Sequence, residues 1–270
     1  MPVKRDENGR RYVQAEVEVP GTPEQVWEAI ATGPGISSWF VPSEVEGRKG
    51  GRAILHFGPG SSMDSVATIT EWDAPRRFVA TSHDDPNGPE IATEWIVEAR
   101  GGGTCTVRVV HSWFASTDDW DKQFEGHEAG WAEFFQILRL YLAHFAGQPS
   151  AMFQVMGETD VEAQAAWQSL SASLGIASPA EGERVASSGS APPLAGRVVR
   201  VGAPAHPELL LHLDTPAPGI AHLFAMPMGG KTYLPMRMFV FGDDAAGVAS
   251  REEPRWQQWM EALTRSQANA

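Results

Sequence analysis

Residues 127–145 read HEAGWAEFFQILRLYLAHF. At 3.6 residues per turn, Trp131, Phe134, Phe135, Leu138, Leu142 and Phe145 fall on one side of a helix. A stripe with three large rings in its first turns needs a second layer to bury against. The chain before it offers one such layer. RAILHFG (52–58), SVATITEW (65–72), RFVATSH (77–83), TEWIVEA (93–99) and TCTVRVVHSWF (104–114) are rich in β-branched and aromatic residues, and they are separated by GPGSS, DAPR, DDPNGP and RGGGT. Closely spaced strands with such turns make an antiparallel meander. In the last of them Cys105, Val107, Val109, His111 and Trp113 share one face, with Arg108 on the wet face.

Ahead of the meander, RYVQAEVEV (11–19) alternates as a strand and GTPEQVWEAI opens a helix. Thr22 is its N-cap, Pro23 its first helical residue, and Gln25 stands three after the cap, as a capping box requires. A short helical turn ends at Trp39-Phe40. The order is strand, helix, short helix, strands, long helix. With one sheet and two amphipathic helices to bury, the expected fold is α+β, a curved antiparallel sheet wrapped around the last helix.

The second half follows the same plan in worn form. AMFQVMGE (151–158) reads as a strand and TDVEAQAAWQSLSASLGI (159–176) as a helix. GRVVRVGA, ELLLHLDT, IAHLFAMP and TYLPMRMFVFG read as strands, and PRWQQWMEALTRS as a closing helix. Trp256, Trp259, Met260 and Leu263 repeat the offsets of Trp131, Phe134, Phe135 and Leu138, which suggests duplication. Residues 177–196 read as a mobile Ser/Pro/Ala/Gly loop. The expected domains are 10–147 and a degenerate second copy at 151–268.

Ten Trp and twelve Phe in 270 residues support sizeable cores. The formal charge of -13 is spread over both halves, with no basic stripe, which argues against nucleic acid. No apolar run has the length of a membrane span, so membrane insertion is not expected. MPVKRDENGRR carries charges with no apolar segment after them, and a cytoplasmic protein is the expectation. A lone Cys105 permits no intrachain disulfide.

VPGTPEQVWEAIATGPGISSWFVP, EGRKGGRAILHFG, ITEWDAPRRFVATS and HEAGWAEFFQILRLYL carry a further signal. Through these segments residues 10–147 resemble the homologues of the activator of heat-shock chaperone ATPase, within the START-related polyketide-cyclase/lipid-transfer (SRPBCC) superfamily. The resemblance implies a helix-grip fold with a cavity between the terminal helix and the concave sheet. It supplies no universal catalytic residues, and no cofactor is expected.

Several motifs lead nowhere. His127-Glu128 would need a histidine at 131 to bind zinc as H-E-x-x-H, and Trp131 stands there. GGKT (229–232) lacks the first glycine of a phosphate loop, because that place is Ala225, and reads as a hairpin turn. Cys105 has no histidine nearby in sequence and packs as a small apolar group. No metal site is expected. His56, on the strand face opposite Leu55 and Phe57, is expected in solvent.

His111 points inward between Val109 and Trp113 and is either a hydrogen-bonded core histidine or a polar contact to a ligand. The leading expectation is a small hydrophobic molecule bound among Trp39, Phe40, Leu55, Phe57, Trp95, Val109, His111, Trp113, Trp131, Phe135 and Leu138. The alternatives are a protein-interaction module, with a chaperone partner or self-association, and a cyclase- or hydrolase-like enzyme using His111 as acid/base.

Overall fold

The computed structural model describes residues 4–5, 11–58, 60–82, 90–113 and 121–268, with side chains absent from the description at 121–130 and 267–268. It divides into two compact units, Met1–Gly147 and Gln148–Ala270.

The first unit runs β1 (Lys4–Arg5), β2 (Arg11–Pro20), α1 (Pro23–Ala31), α2 (Gly33–Ser37), β3 (Ser43–Val45), β4 (Arg52–His56), β5 (Asp64–Asp73), β6 (Arg77–Ser82), β7 (Ile91–Ala99), β8 (Thr104–Trp113) and α3 (Asp121–His144). Its eight-stranded sheet has the order β1-β2-β8-β7-β6-β5-β4-β3, with every pair antiparallel. The last strand therefore inserts beside β2, and α3 lies along β2. Alternation decides the inner face of β8, where Cys105, Val107, Val109 and Trp113 are all buried. From α3, Phe135, Ile137, Leu138, Tyr141, Leu142 and Phe145 are buried.

Thr22 forms the full capping box with Gln25. The approach of α2 to α1 depends on Gly35, where a Cβ would lie 1.9 Å from the Glu28 carbonyl oxygen. That approach brings Trp39 under α1, and its Nε1–H donates to the Ala29 carbonyl at 2.9 Å.

The second unit runs β9 (Ser150–Thr159), α4 (Ala163–Leu174), β10 (Arg184–Ala186), β11 (Ala195–Val201), β12 (Glu208–Thr215), β13 (Gly219–Phe224), β14 (Met226–Met228), β15 (Lys231–Phe241) and α5 (Ala245–Ala268). Strand β15 pairs with β9 on one side and with β13 and β14 on the other, giving β9-β15-β13-β12-β11-β10. This is the order β2-β8-β7-β6-β5-β4 of the first unit. The match extends to single residues. Hairpin β5–β6 has a bulge between Ile69 and Glu71, followed by the pair Trp72↔Phe78; hairpin β11–β12 has one between Val198 and Arg200, followed by Val201↔Leu209. The core of this unit gathers Leu209, Leu211, Leu213, Met236, Met238, Trp256 and Met260, among others.

Three expectations are corrected. The loop at 177–196 contains β10, bonded to β11 through Arg184↔Arg197, Val185↔Gly196 and Ala186↔Ala195, and such a short edge strand leaves no periodicity to read. The closing helix begins at Ala245 and runs through Pro254, because Ala245, Val248 and Ala249 add buried residues upstream of the proline. His56 is half-buried and bound to Asp64 at 2.8 Å. The GGKT segment is a two-residue hairpin, with Gly229 and Gly230 both at positive φ between Met228 and Lys231. The side chains of His127 and Glu128 lie outside the described residues.

Candidate functional site

Seven of the eleven expected lining residues form one network of ring contacts in the first unit. Trp131 is its hub, at 5.2 Å from Phe40, 5.1 Å from Trp95, 5.6 Å from Phe135 and 5.7 Å from His111 between ring centroids. Trp39 joins through Phe40 at 5.6 Å and Trp95 at 6.4 Å, and Phe57 joins through Phe40 at 5.8 Å. Three of these seven pairs, Trp39–Trp95, Phe40–Phe57 and Trp95–Trp131, meet edge to face, and the other four are tilted or stacked, both arrangements that ring quadrupoles allow when offset. Val109, Trp113 and Leu138 are buried on the inner faces of β8 and α3, while Leu55 is half-buried on β4.

Burial is graded across the network. Trp39 and Phe135 are each 1% exposed, whereas Phe57 is 41% exposed and Trp131, Phe134 and His111 are half-buried despite facing inward. One end of the ring cluster is therefore closed and the other reaches solvent.

At the open end sits a polar pair that strand register creates. Thr93 of β7 is paired with His111 of β8. Thr93 Oγ1 lies 2.9 Å from His111 Nδ1, and the Trp131 indole Nε1–H donates to His111 Nε2 at 2.6 Å. An indole nitrogen only donates, so Nε2 accepts and carries no proton. With Nε2 bare, the neutral ring holds its proton on Nδ1, directed at the Thr93 hydroxyl. His111 is thus a bridge between sheet and helix, engaged by both, which is not the geometry of an unencumbered general base.

Sequence reading missed Thr93 and Phe134. Thr93 matters only through its register opposite His111, which no local pattern reveals. Phe134 meets Phe40 edge-on at 4.5 Å, and its place in the 127–145 stripe was the available signal.

A second polar constellation lies across three neighbouring strands. Arg77 of β6 makes ion pairs with Glu71 of β5 and Glu94 of β7. At the register-equivalent positions of the second unit, Glu208 of β12 pairs with Arg200 of β11 and His222 of β13. The triad position is retained, with a carboxylate at its centre in place of the guanidinium. Glu208 and His222 are buried at 4% and 2% exposure, unlike Arg77. Burial pushes the His222 pKa down, against the pull of Glu208. Burial also opposes ionisation of Glu208, but its contacts to His222 and Arg200 outweigh that and hold the carboxyl below its ordinary range.

The equivalence also shows what the second unit lacks. Thr93 and His111 correspond to Ala221 and Met238, which are paired in β13 and β15. Trp256 matches Trp131 in its helix, and among the described residues its buried Nε1 has no hydrogen-bond partner.

Residues 20–143 match the model of the family described as Activator of Hsp90 ATPase homolog 1-like protein. The matched segment lies within the first unit and spans less than half of the chain; that unit's antiparallel sheet with its C-terminal helix is a fold of the helix-grip type. No curated protein matches the chain. Among solved structures, the di-domain ARO/CYC BexL from the BE-7585A biosynthetic pathway is 15% identical over 96% of this chain and 95% of its own, with TM-score 0.45. Protein MLL2253 from Mesorhizobium loti is 21% identical over 50% of this chain and 98% of its own, with TM-score 0.44. The Aha1 dimer from Colwellia psychrerythraea is 22% identical over 48% of this chain and 95% of its own, with TM-score 0.38. No described helix is long and apolar enough to cross a membrane.

Proposed function

We propose that the first unit binds a small hydrophobic molecule between α3 and the concave face of the sheet. The observation that supports this most is the open end of the ring cluster, where the inward-facing Trp131 and His111 remain half-buried around a polar bridge. Apolar walls with one oriented polar group are the pattern of small-molecule sites. The lining is the expected set, Trp39, Phe40, Leu55, Phe57, Trp95, Val109, His111, Trp113, Trp131, Phe135 and Leu138, with Thr93 and Phe134 added. A ligand hydroxyl or carbonyl would compete for the Thr93–His111–Trp131 bridge, and its apolar body would lie on Trp131 and Phe57.

Denaturing extraction with mass spectrometry identifies a co-purified ligand, and NMR titration with fatty acids and polycyclic aromatics locates the site. Saturable shifts at the Trp131 indole and His111 support the reading. A folded protein with no extracted species and no shifts there refutes it. Stimulation of a chaperone ATPase by the ligand-free chain would favour the interaction reading that the family description suggests.

A further inference from the structure

The second unit has a cleft of about 290 Å³ bounded by α4, the segment after it, and the end of hairpin β11–β12. Trp167, Ile176, Pro179, Val201 and Leu209 supply its apolar walls. Its volume falls just under the range for ligand pockets, about 300–1,000 Å³, and so fits only a small molecule.

The first unit shows what the fold places at this position. Trp167 stands five residues after the α4 N-cap Glu162, as Trp27 stands five after the α1 N-cap Thr22. Val201 and Leu209 occupy the places of Trp72 and Phe78, because each is the second pair after the bulge of its hairpin. In the first unit these three positions carry rings in mutual contact. Trp27 lies 5.0 Å from Trp72 and 5.7 Å from Phe78, and Trp72 lies 5.5 Å from Phe78. Trp27 is buried as a result, at 8% exposure. In the second unit two of the three rings are replaced by aliphatic side chains, and Trp167 is left half-buried beside a cleft.

We infer that this cleft binds a small, uncharged, planar aromatic molecule, packed against Trp167 where the Trp72 and Phe78 rings sit in the first unit. An edge-to-face partner is what an indole in this position receives in the first unit, and a planar ring restores it. The ligand is uncharged because the walls are mainly apolar, with Ser171 and Ser178 as neutral polar groups, and Glu208, the acidic residue in the lining, already has its carboxylate paired with Arg200 and His222. The inference concerns residues of the second unit alone and does not depend on ligand binding by the first.

Titration of the ¹⁵N-labelled full chain with indole, against cyclohexanol as an aliphatic control, tests it. Indole is expected to give saturable shifts at the Trp167 side-chain N–H and the Val201 and Leu209 amides, with cyclohexanol much weaker. Val201→Trp restores one ring of the first unit and should weaken indole binding about tenfold or more. Leu209→Phe is the second variant should the first not fold, as judged by its amide spectrum. No shifts at the cleft, shifts confined to Trp131 and His111, or unchanged affinity in a folded variant would overturn the inference. Shifts at Trp167 on diluting the protein alone would also overturn it, in favour of a ring donated by a second copy.

Discussion

Removing the Trp131–His111 bridge from both ends tests the central geometry. Trp131→Phe keeps a ring against Phe40, Trp95 and Phe135 but deletes the donor; His111→Met installs the residue found at the equivalent position, Met238. A neutral hydrogen bond contributes about 0.5–1.5 kcal/mol net. The ring pair, at 5.7 Å and 24° between planes, is largely kept by the Phe ring, so the cycle reads mainly the hydrogen bond. Both residues are half-buried, so water partly replaces the lost partner and the lower part of the range applies. The expected coupling energy in a double-mutant cycle is about 0.5–1 kcal/mol. Urea unfolding followed by NMR peaks resolved for each unit isolates the first unit's own transition. Additivity of the two substitutions within about 0.3 kcal/mol would refute the bridge.

The two triads should respond unequally. Glu208→Gln leaves Arg200 and His222 beside an uncharged, buried partner and should destabilise the second unit by about 3 kcal/mol, whereas Arg77→Gln acts on an exposed triad and should cost the first unit under about 1 kcal/mol in the same assay. The second unit should also lose stability on acidification below about pH 6.5, because the unfolded chain then protonates His222 while burial keeps the folded imidazole neutral. His56 has the opposite sign: its hydrogen bond to Asp64 raises its pKa, so its contribution is present below about pH 6.5 and fades as pH rises through the raised value. Melting scans of each unit from pH 5 to 8 would separate the two trends. Cys105 is fully buried and burial raises its thiol pKa, so a thiol reagent should label it only after urea unfolding.

Local rules carried the elements well where one residue type had one job. Thr22, Pro23 and Gln25 announced α1; two glycines announced the β14–β15 turn; the α3 and α5 stripes announced the buried helix faces. The ring cluster was legible for the same reason, since its members fall on inward phases of periodic elements. What could not be read was anything depending on register between strands. Thr93 becomes part of the site only because β7 and β8 align it with His111. The Arg77 and Glu208 triads each span three strands, and neither motif exists in sequence order. His56 was misplaced because strand phase says which way a side chain starts and not that Asp64 waits across the pair.

The paired registers separate what the fold needs from what one unit alone uses. The same three-strand position holds a polar triad in both units, Arg77 between two glutamates in the first and Glu208 between Arg200 and His222 in the second. The Thr93–His111 pair is different. Its second-unit equivalents, Ala221 and Met238, are apolar and buried, and that unit tolerates an indole nitrogen on Trp256 with no partner among the described residues. An apolar pair therefore suffices to hold the helix against the sheet. Placing polar groups on an inward face gains nothing in stability over such a pair, even when they are hydrogen-bonded to each other. The polar bridge at the open end of the ring cluster is therefore a feature of the first unit that the shared architecture does not require.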